Sequence, residues 1–175
     1  MRRLFLLRHS ESERSVPGAS DRDRTLTERG RTDARSIGAY MARHGFVPDI
    51  VWMSPALRAR ETWKQAAAAF HPAPPAQAAA PLYDATAHAI FNAIAEAPPQ
   101  RQSLLIIGHN PALHELAMLL IASGDIEARA LLRENLPTSG LVIIGFSLDD
   151  WSKLHPHAGR LEHFVSPKTI APATN

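Results

Sequence analysis

Residues 4–9, Leu-Phe-Leu-Leu-Arg-His, decide the fold, because a short, wholly apolar run ends here in an arginine and a histidine. A similar pattern returns at residues 104–109, Leu-Leu-Ile-Ile-Gly-His. Short continuous apolar runs are typical of strands that a parallel sheet buries on both faces. A third such run spans residues 141–146. Weaker strands are predicted over residues 49–53 and 160–165, the last alternating in polarity like an edge strand.

Helical patterns fill the intervals between these strands. Thr25 or Thr27 is placed to cap a helix that stops near Gly45. Ser54 and Asn110, each followed by a proline, are predicted to cap two further helices. Strands that alternate with helices indicate an α/β protein. We therefore expect a three-layer αβα sandwich with a mainly parallel central sheet and one antiparallel edge strand.

The length and composition suit a single domain. The chain has 175 residues, of which 45% are hydrophobic and 21% charged. This is enough chain to bury a substantial core, and the apolar fraction excludes disorder as the overall state. No repeat or internal linker divides the sequence, so we predict one domain over residues 1–166 and a tail over residues 167–175.

Several classes of function are disfavoured by what the sequence lacks. The chain has no cysteine, which excludes disulfides, thiolate catalysis and cysteine-ligated zinc. The formal net charge is +2, without a run of five like charges, so no nucleic-acid partner is expected. No apolar stretch approaches the roughly 18 residues of a membrane span, and the first apolar run is too short for a signal peptide. These features predict a soluble, cytoplasmic protein.

Chemically useful side chains gather where the predicted strands end. His9 follows the first strand and His109 follows the strand over 104–107, and the carboxyl ends of parallel strands border one crevice. Arg8 and Arg58 are placed to reach the same crevice, and the helix after Asn110 would direct free backbone N–H groups toward it. Guanidinium groups match the oxygens of a phosphoryl group. The sequence therefore predicts a phosphoryl-binding crevice.

Three segments stand out as motifs: LLRHSES at residues 6–12, SPALRARET at residues 54–62 and IGHNP at residues 107–111. They resemble the motifs of the histidine phosphatase, or phosphoglycerate-mutase-like, superfamily, and within it the chain is most similar to the SixA phosphohistidine phosphatases. Each is a weak signal alone, whereas all three in this order are specific. The resemblance extends over nearly the whole chain.

The resemblance implies a role for each crevice residue. His9 is the nucleophile that becomes transiently phosphorylated, and Arg8, Arg58 and His109 bind the phosphoryl oxygens. No metal or other cofactor is implied. A neutral imidazole can attack at neutral pH, because its ordinary pKa is near 6.5.

Two positions depart from the family pattern. Ser10 stands where the motif often has glycine, and we expect the small serine to preserve the tight turn. Many members use a glutamate as acid/base in a loop after the third strand, where this chain offers only Asp84. Asp84 is either that acid/base or the N-cap of the following helix.

These features favour a phosphoramidate substrate. An alkyl ester leaves as an alkoxide and needs a strong proton donor, whereas imidazole leaves with little help. No insertion between residues 62 and 108 is long enough to form a lid, so the crevice is expected to admit a protein surface. The predicted substrate is phosphohistidine on a signalling protein, such as a histidine phosphotransfer domain.

Three alternatives remain at this stage. The chain could be a small-molecule phosphomonoesterase or a phosphotransferase similar to phosphoglycerate mutase. It could also be a non-enzymatic module that binds phosphate, in which case His9 would be unnecessary. Metal catalysis is the third, because the chain has nine histidines. However, His109 and His114 do not share a helix face as metal ligands in a His-x-x-x-His pair do.

Overall fold

The chain forms one seven-stranded sheet with helices on both faces. A computed structural model describes residues 1–170, and residues 171–175 of the predicted tail lie outside the described residues. The strands are β1 (Arg2–Arg8), β2 (Ile50–Met53), β3 (Ala76–Ala78), β4 (Ser103–Gly108), β5 (Ile121–Gly124), β6 (Leu141–Phe146) and β7 (Gly159–Val165). The helices are α1 (Glu28–Arg43), α2 (Leu57–Ala67), α3 (Ala87–Ala95), α4 (Ala112–Leu120), α5 (Ile126–Glu134) and the short α6 (Pro167–Ile170).

The strand order is β3-β2-β4-β1-β6-β7-β5. The first four strands in this order are parallel, β6 is antiparallel to both of its neighbours, and β5 is parallel to β7. The predicted mainly parallel sheet is therefore confirmed. The predicted antiparallel edge strand is wrong in its placement: among residues 1–170 the antiparallel strand is β6, which is interior and buried along its whole length. The strand predicted at the edge, β7, is covered by β5 on its outer side.

Successive side chains of a strand point to opposite faces of the sheet, so the protein has two hydrophobic cores, one on each face. In β1, Leu4 and Leu6 pack into one core, whereas Phe5 and Leu7 pack into the other. The first core is closed by residues of α3, α4 and α5, and the second by residues of α1 and α2. A strand buried on both faces needs apolar side chains at every position, which explains the continuous apolar runs.

Side-chain hydrogen bonds cap the N-termini of only some of the helices. Thr27 caps α1 by accepting a hydrogen bond from the backbone N–H of Gly30. The predicted caps Ser54 and Asn110 are wrong, because α2 begins at Leu57 and α4 at Ala112 without a side-chain cap. Each of these two side chains instead contacts a residue that is distant in the sequence, and both lie near the crevice.

Candidate active site

Two neighbouring strands deliver the predicted histidines to one edge of the sheet. β1 and β4 are parallel and pair Arg8 with Gly108, so His9 and His109 follow at equivalent positions. Their rings lie 5.2 Å apart between centroids, at an interplanar angle of 54°. The sequence-based prediction that the strand ends bring these two side chains together agrees with this geometry.

His9 is held in one orientation by the backbone next to it. His9 is only 7% exposed, and its Nδ1 lies 2.8 Å from the carbonyl oxygen of Ser10. A carbonyl oxygen can only accept a hydrogen bond, so Nδ1 bears the hydrogen and the neutral ring keeps its lone pair on Nε2. Burial lowers the pKa of His9 to about 3, and the positive charge of nearby Arg58 and Arg8 acts in the same direction. The ring is therefore neutral at physiological pH.

Arg8 is fixed between β1 and the loop that precedes β6. Its Nη1 donates to the carbonyl oxygen of Leu136 at 3.1 Å, and its backbone oxygen accepts from the N–H of Ser139 at 3.1 Å. Its Nε is buried and has no acceptor among residues 1–170. Burial lowers the pKa of the guanidinium from its ordinary value, although arginine remains charged in proteins. Arg8 is thus a half-buried positive charge with one buried donor that has no acceptor in the described chain.

Arg58 reaches the crevice from the first turn of α2 and is 5% exposed. Its Nη1 donates to the backbone oxygen of Asp21 at 2.8 Å, and its Nη2 donates to the Asp21 carboxylate at 3.1 Å. Sequence reasoning missed Asp21. The carboxylate also accepts a 2.7 Å hydrogen bond from the Tyr83 hydroxyl, the main cause that lowers the Asp21 pKa to about 2.

His109 contacts the side chain that had been predicted as a helix cap. Its Nε2 lies 2.7 Å from the hydroxyl of Ser54, which is fully buried. Burial, with the positive charge of Arg58 next in importance, lowers the pKa of His109 to about 4, although Asp21 and Asp84 oppose this shift. His109 is therefore also neutral at physiological pH before any anion binds.

A buried chain of hydrogen bonds connects the residue after His9 to Arg58. The backbone N–H of Ser10 donates to Oγ1 of Thr62 at 2.9 Å, and the same hydroxyl donates to the backbone oxygen of Arg58 at 2.7 Å. The hydroxyl of Ser10 lies 2.5 Å from that of Ser139. Ser10 is fully buried and its φ is not positive, so its side chain is accommodated without the conformation that would require glycine.

Asp84 lies on the wall of a cavity of about 310 Å³ that Arg58 and His109 also line. The cap of α3 is Thr86, which accepts from the N–H of Ala89, so the alternative interpretation of Asp84 as the N-cap is wrong. Asp84 itself has a φ of +53°, in the left-handed region. The cavity is at the small end of the size range of ligand sites, about 300–1,000 Å³.

The described part of the chain holds no group of three or more histidines and carboxylates arranged to bind a metal ion. Over residues 1–170, no helix has both the length and the apolar character needed to cross a membrane. Arg58 lines the cavity, and the positive charges of Arg58 and Arg8 both act on the pKa of His9.

Comparisons with known proteins show which proteins the chain is similar to. Residues 4–82 match the model of the histidine phosphatase superfamily (branch 1). The chain is 29% identical to an uncharacterized protein of Mycobacterium tuberculosis over 165 residues, which are 93% of this chain and 100% of that protein.

Solved structures show the same fold over almost the whole chain. The candidate phosphohistidine phosphatase SixA of Agrobacterium tumefaciens is 28% identical, with a TM-score of 0.77 over 95% of this chain and 98% of its own. The corresponding protein of Nakamurella multipartitia is 23% identical, with a TM-score of 0.82 over 95% of this chain and 96% of its own.

Proposed function

We propose that the chain is a member of the histidine phosphatase superfamily, whose model matches residues 4–82, and that it removes phosphoryl groups through a phosphohistidine intermediate on His9. The observation that supports this most directly is the orientation of His9. Its Nδ1–H is directed to the Ser10 carbonyl oxygen, so the lone pair on Nε2 is the one available for attack.

The proposed reaction has two steps. Nε2 of His9 attacks phosphorus, a P–N bond forms, and the bond from phosphorus to the leaving group breaks with its electron pair on the leaving group. Water then attacks phosphorus, the bond to Nε2 breaks, and inorganic phosphate departs. Arg8, Arg58 and His109 hold the phosphoryl oxygens in both steps, because phosphoryl transfer depends chiefly on positioning and on stabilisation of charge.

Buried donors near His9 support this assignment of the oxygen-binding groups. The Nε atoms of Arg8 and Arg58 are buried and have no acceptor in the described chain. A buried donor without a partner costs free energy, about 1–3 kcal/mol for a neutral group and more for a charged one. Phosphoryl oxygens are acceptors that suit such guanidinium donors.

We further propose that the substrate is phosphohistidine on a protein, such as a histidine phosphotransfer domain in the cytoplasm. Asp84 makes no hydrogen bond to the site residues, so a strong proton donor is not organised around the leaving group. Imidazole departs without one, because the second ring nitrogen of phosphohistidine takes a proton from water and the ring leaves neutral. The segment between Thr62 and Gly108 is used by α2, β3, α3 and β4, so it holds no insertion long enough to form a lid.

A small-molecule phosphomonoesterase is the second candidate, and the position of Asp84 favours it. Asp84 is on the cavity wall with His109, where it could protonate an alkoxide. A comparison of hydrolysis rates separates the candidates: phosphohistidine on a protein against an alkyl phosphate, in the parent and in Asp84→Asn. The matched control is Glu96→Gln at the other end of α3, which should change neither rate.

We expect the parent to prefer phosphohistidine, and Asp84→Asn to impair alkyl phosphate hydrolysis far more than phosphohistidine hydrolysis. A parent that strongly prefers the alkyl ester would support the second candidate. Activity should also persist in the presence of a chelator; loss of activity that zinc or magnesium restores would favour metal catalysis. Failure to trap any phosphoenzyme would favour the non-enzymatic phosphate-binding module.

A further inference from the structure

Two loops from different parts of the chain meet at Arg58. The 3₁₀ turn Asp21–Asp23 contributes Asp21, and the loop after β3 contributes Tyr83. The Asp21 carboxylate accepts from Arg58 and Tyr83, and also from Nε of Arg24 at 3.1 Å. Three donors thus converge on one carboxylate at the mouth of the crevice.

The contacts of Arg58 use only part of its guanidinium. A guanidinium has five N–H donors, and Asp21 takes one from Nη1 and one from Nη2. Three remain, and among them the Nε–H is buried without an acceptor in residues 1–170. A planar group held at its two terminal nitrogens cannot rotate about its long axis without breaking both bonds.

We propose that Asp21 is a positioning residue, which holds Arg58 by its terminal nitrogens so that the remaining N–H groups are directed to the phosphoryl oxygens. The proposal rests on the proposed function of this site. Asp21 would act through Arg58 and would not itself touch the substrate. Tyr83 would support it by fixing the carboxylate from the other loop.

The charge of Asp21 is suited to this role. Its pKa is lowered to about 2, first by the Tyr83 hydroxyl and then by Arg58, so it stays ionised at physiological pH. An asparagine at this position keeps the shape and the backbone oxygen. However, it has only one side-chain oxygen for three donors, and its amide group would add a donor beside Arg58 and Arg24.

The opposite role is also physically reasonable, and it predicts the opposite result. If Asp21 imitated a phosphoryl group and blocked Arg58, its neutralisation would strengthen the binding of oxyanions. If it positions Arg58, neutralisation weakens that binding. The sign of the change in affinity therefore decides between the two roles.

The test measures the inhibition constant of tungstate together with kcat and KM in Asp21→Asn. We expect kcat/KM to fall and the inhibition constant to rise by about 10- to 100-fold, as when an outer partner that orients a charged ligand is lost. Asp21→Glu should recover part of the loss. Asp23→Asn is the matched control: it lies in the same turn, is exposed, and should match the parent.

Tyr83→Phe provides a second variant that leaves the turn intact. It removes one donor to Asp21 and should weaken tungstate binding in the same direction but by less. Tighter tungstate binding in Asp21→Asn, or equal values in Asp21→Asn and Asp23→Asn, would overturn the proposal. So would a lowered melting temperature in Asp21→Asn with unchanged kcat, KM and tungstate affinity, because that result describes a purely structural contact.

Failure of the proposed function gives a different pattern. In that case the parent itself would form no phosphoenzyme, whether or not calorimetry shows that it binds tungstate. A parent that does both while Asp21→Asn matches it would contradict only the role of Asp21.

Discussion

The ends of β1 and β4 look alike in the sequence and differ in the structure. Each is an apolar strand followed by a histidine, and the two strands are parallel neighbours. His9, after β1, has its Nδ1–H bound to a backbone carbonyl, which leaves Nε2 with its lone pair. His109, after β4, has its Nε2 in contact with the Ser54 hydroxyl. Two histidines at equivalent positions of one sequence pattern therefore differ in which ring nitrogen is in contact, because their neighbouring residues differ.

Removal of the two imidazoles tests this difference most strongly. His9→Ala should lose all phosphoenzyme label and essentially all turnover, because the proposed P–N bond forms on its Nε2. His109→Ala should still be labelled, with turnover slowed by about 100- to 1,000-fold, as for loss of one preorganised donor to developing negative charge. Rapid quench with labelled substrate measures both. Equal labelling of the two variants would contradict the distinction.

Replacement of the arginines by lysine tests the charged groups around the two strand ends. Arg8→Lys and Arg58→Lys should each lose about 2–3 kcal/mol of transition-state stabilisation, because lysine keeps the charge but lacks the planar fork. The ratio of kcat/KM to that of the parent gives this value. Lys64→Arg on the exposed side of α2 is the control and should be silent. Full activity of Arg58→Lys would contradict the assigned geometry.

Loss of the Ser54 hydroxyl should affect the β4 end alone. Ser54→Ala should lower kcat/KM by about 10-fold, as for an outer partner that orients an imidazole, and should leave phosphoenzyme formation on His9 detectable. Ser36→Ala, on the exposed face of α1, is the control. If Ser54→Ala equals the parent, the hydroxyl does not orient His109.

The smallest expected effect concerns stability against pH. The pKa of His9 falls from 6.5 to about 3 on folding, so between these values the unfolded chain binds more protons and stability falls as pH falls. Between pH 7 and pH 5, His9 should account for about 1–2 kcal/mol of the loss. Urea unfolding at both pH values should show a smaller loss in His9→Gln. An equal loss would mean that His9 is not held neutral.

Sequence patterns predicted the parts of this molecule that depend on local chemistry. The apolar runs gave β1, β4 and β6, since these strands are buried on both faces. β5 was missed because Ile121 and Ala122 continue the apolar pattern of α4, and only the pairing with β7 makes this segment a strand. The order of the strands, and hence the interior place of β6, depends on long-range pairing that no local pattern records.

In the candidate site, too, the residues placed by local patterns were predicted and those placed by long-range contacts were not. His9, His109 and Arg58 were expected to meet because strand ends and helix starts share one edge of a parallel sheet. Asp21 was not found, since it contacts Arg58 across 37 positions of sequence and belongs to a turn with no regular pattern. Ser54 was misassigned as a helix cap because its contact with His109 spans 55 positions.

The central place of β1 has a consequence for synthesis of the protein on the ribosome. Leu4 pairs with Leu104, so the strand that leads to His9 emerges about 100 residues before its neighbour β4 and still earlier than β6. At about 5–20 residues per second, β1 waits roughly 5–20 s as an unpaired apolar segment. During this interval the nascent chain is open to aggregation and to chaperones, and the sheet edge that carries His9 and His109 can form only after most of the chain has left the ribosome.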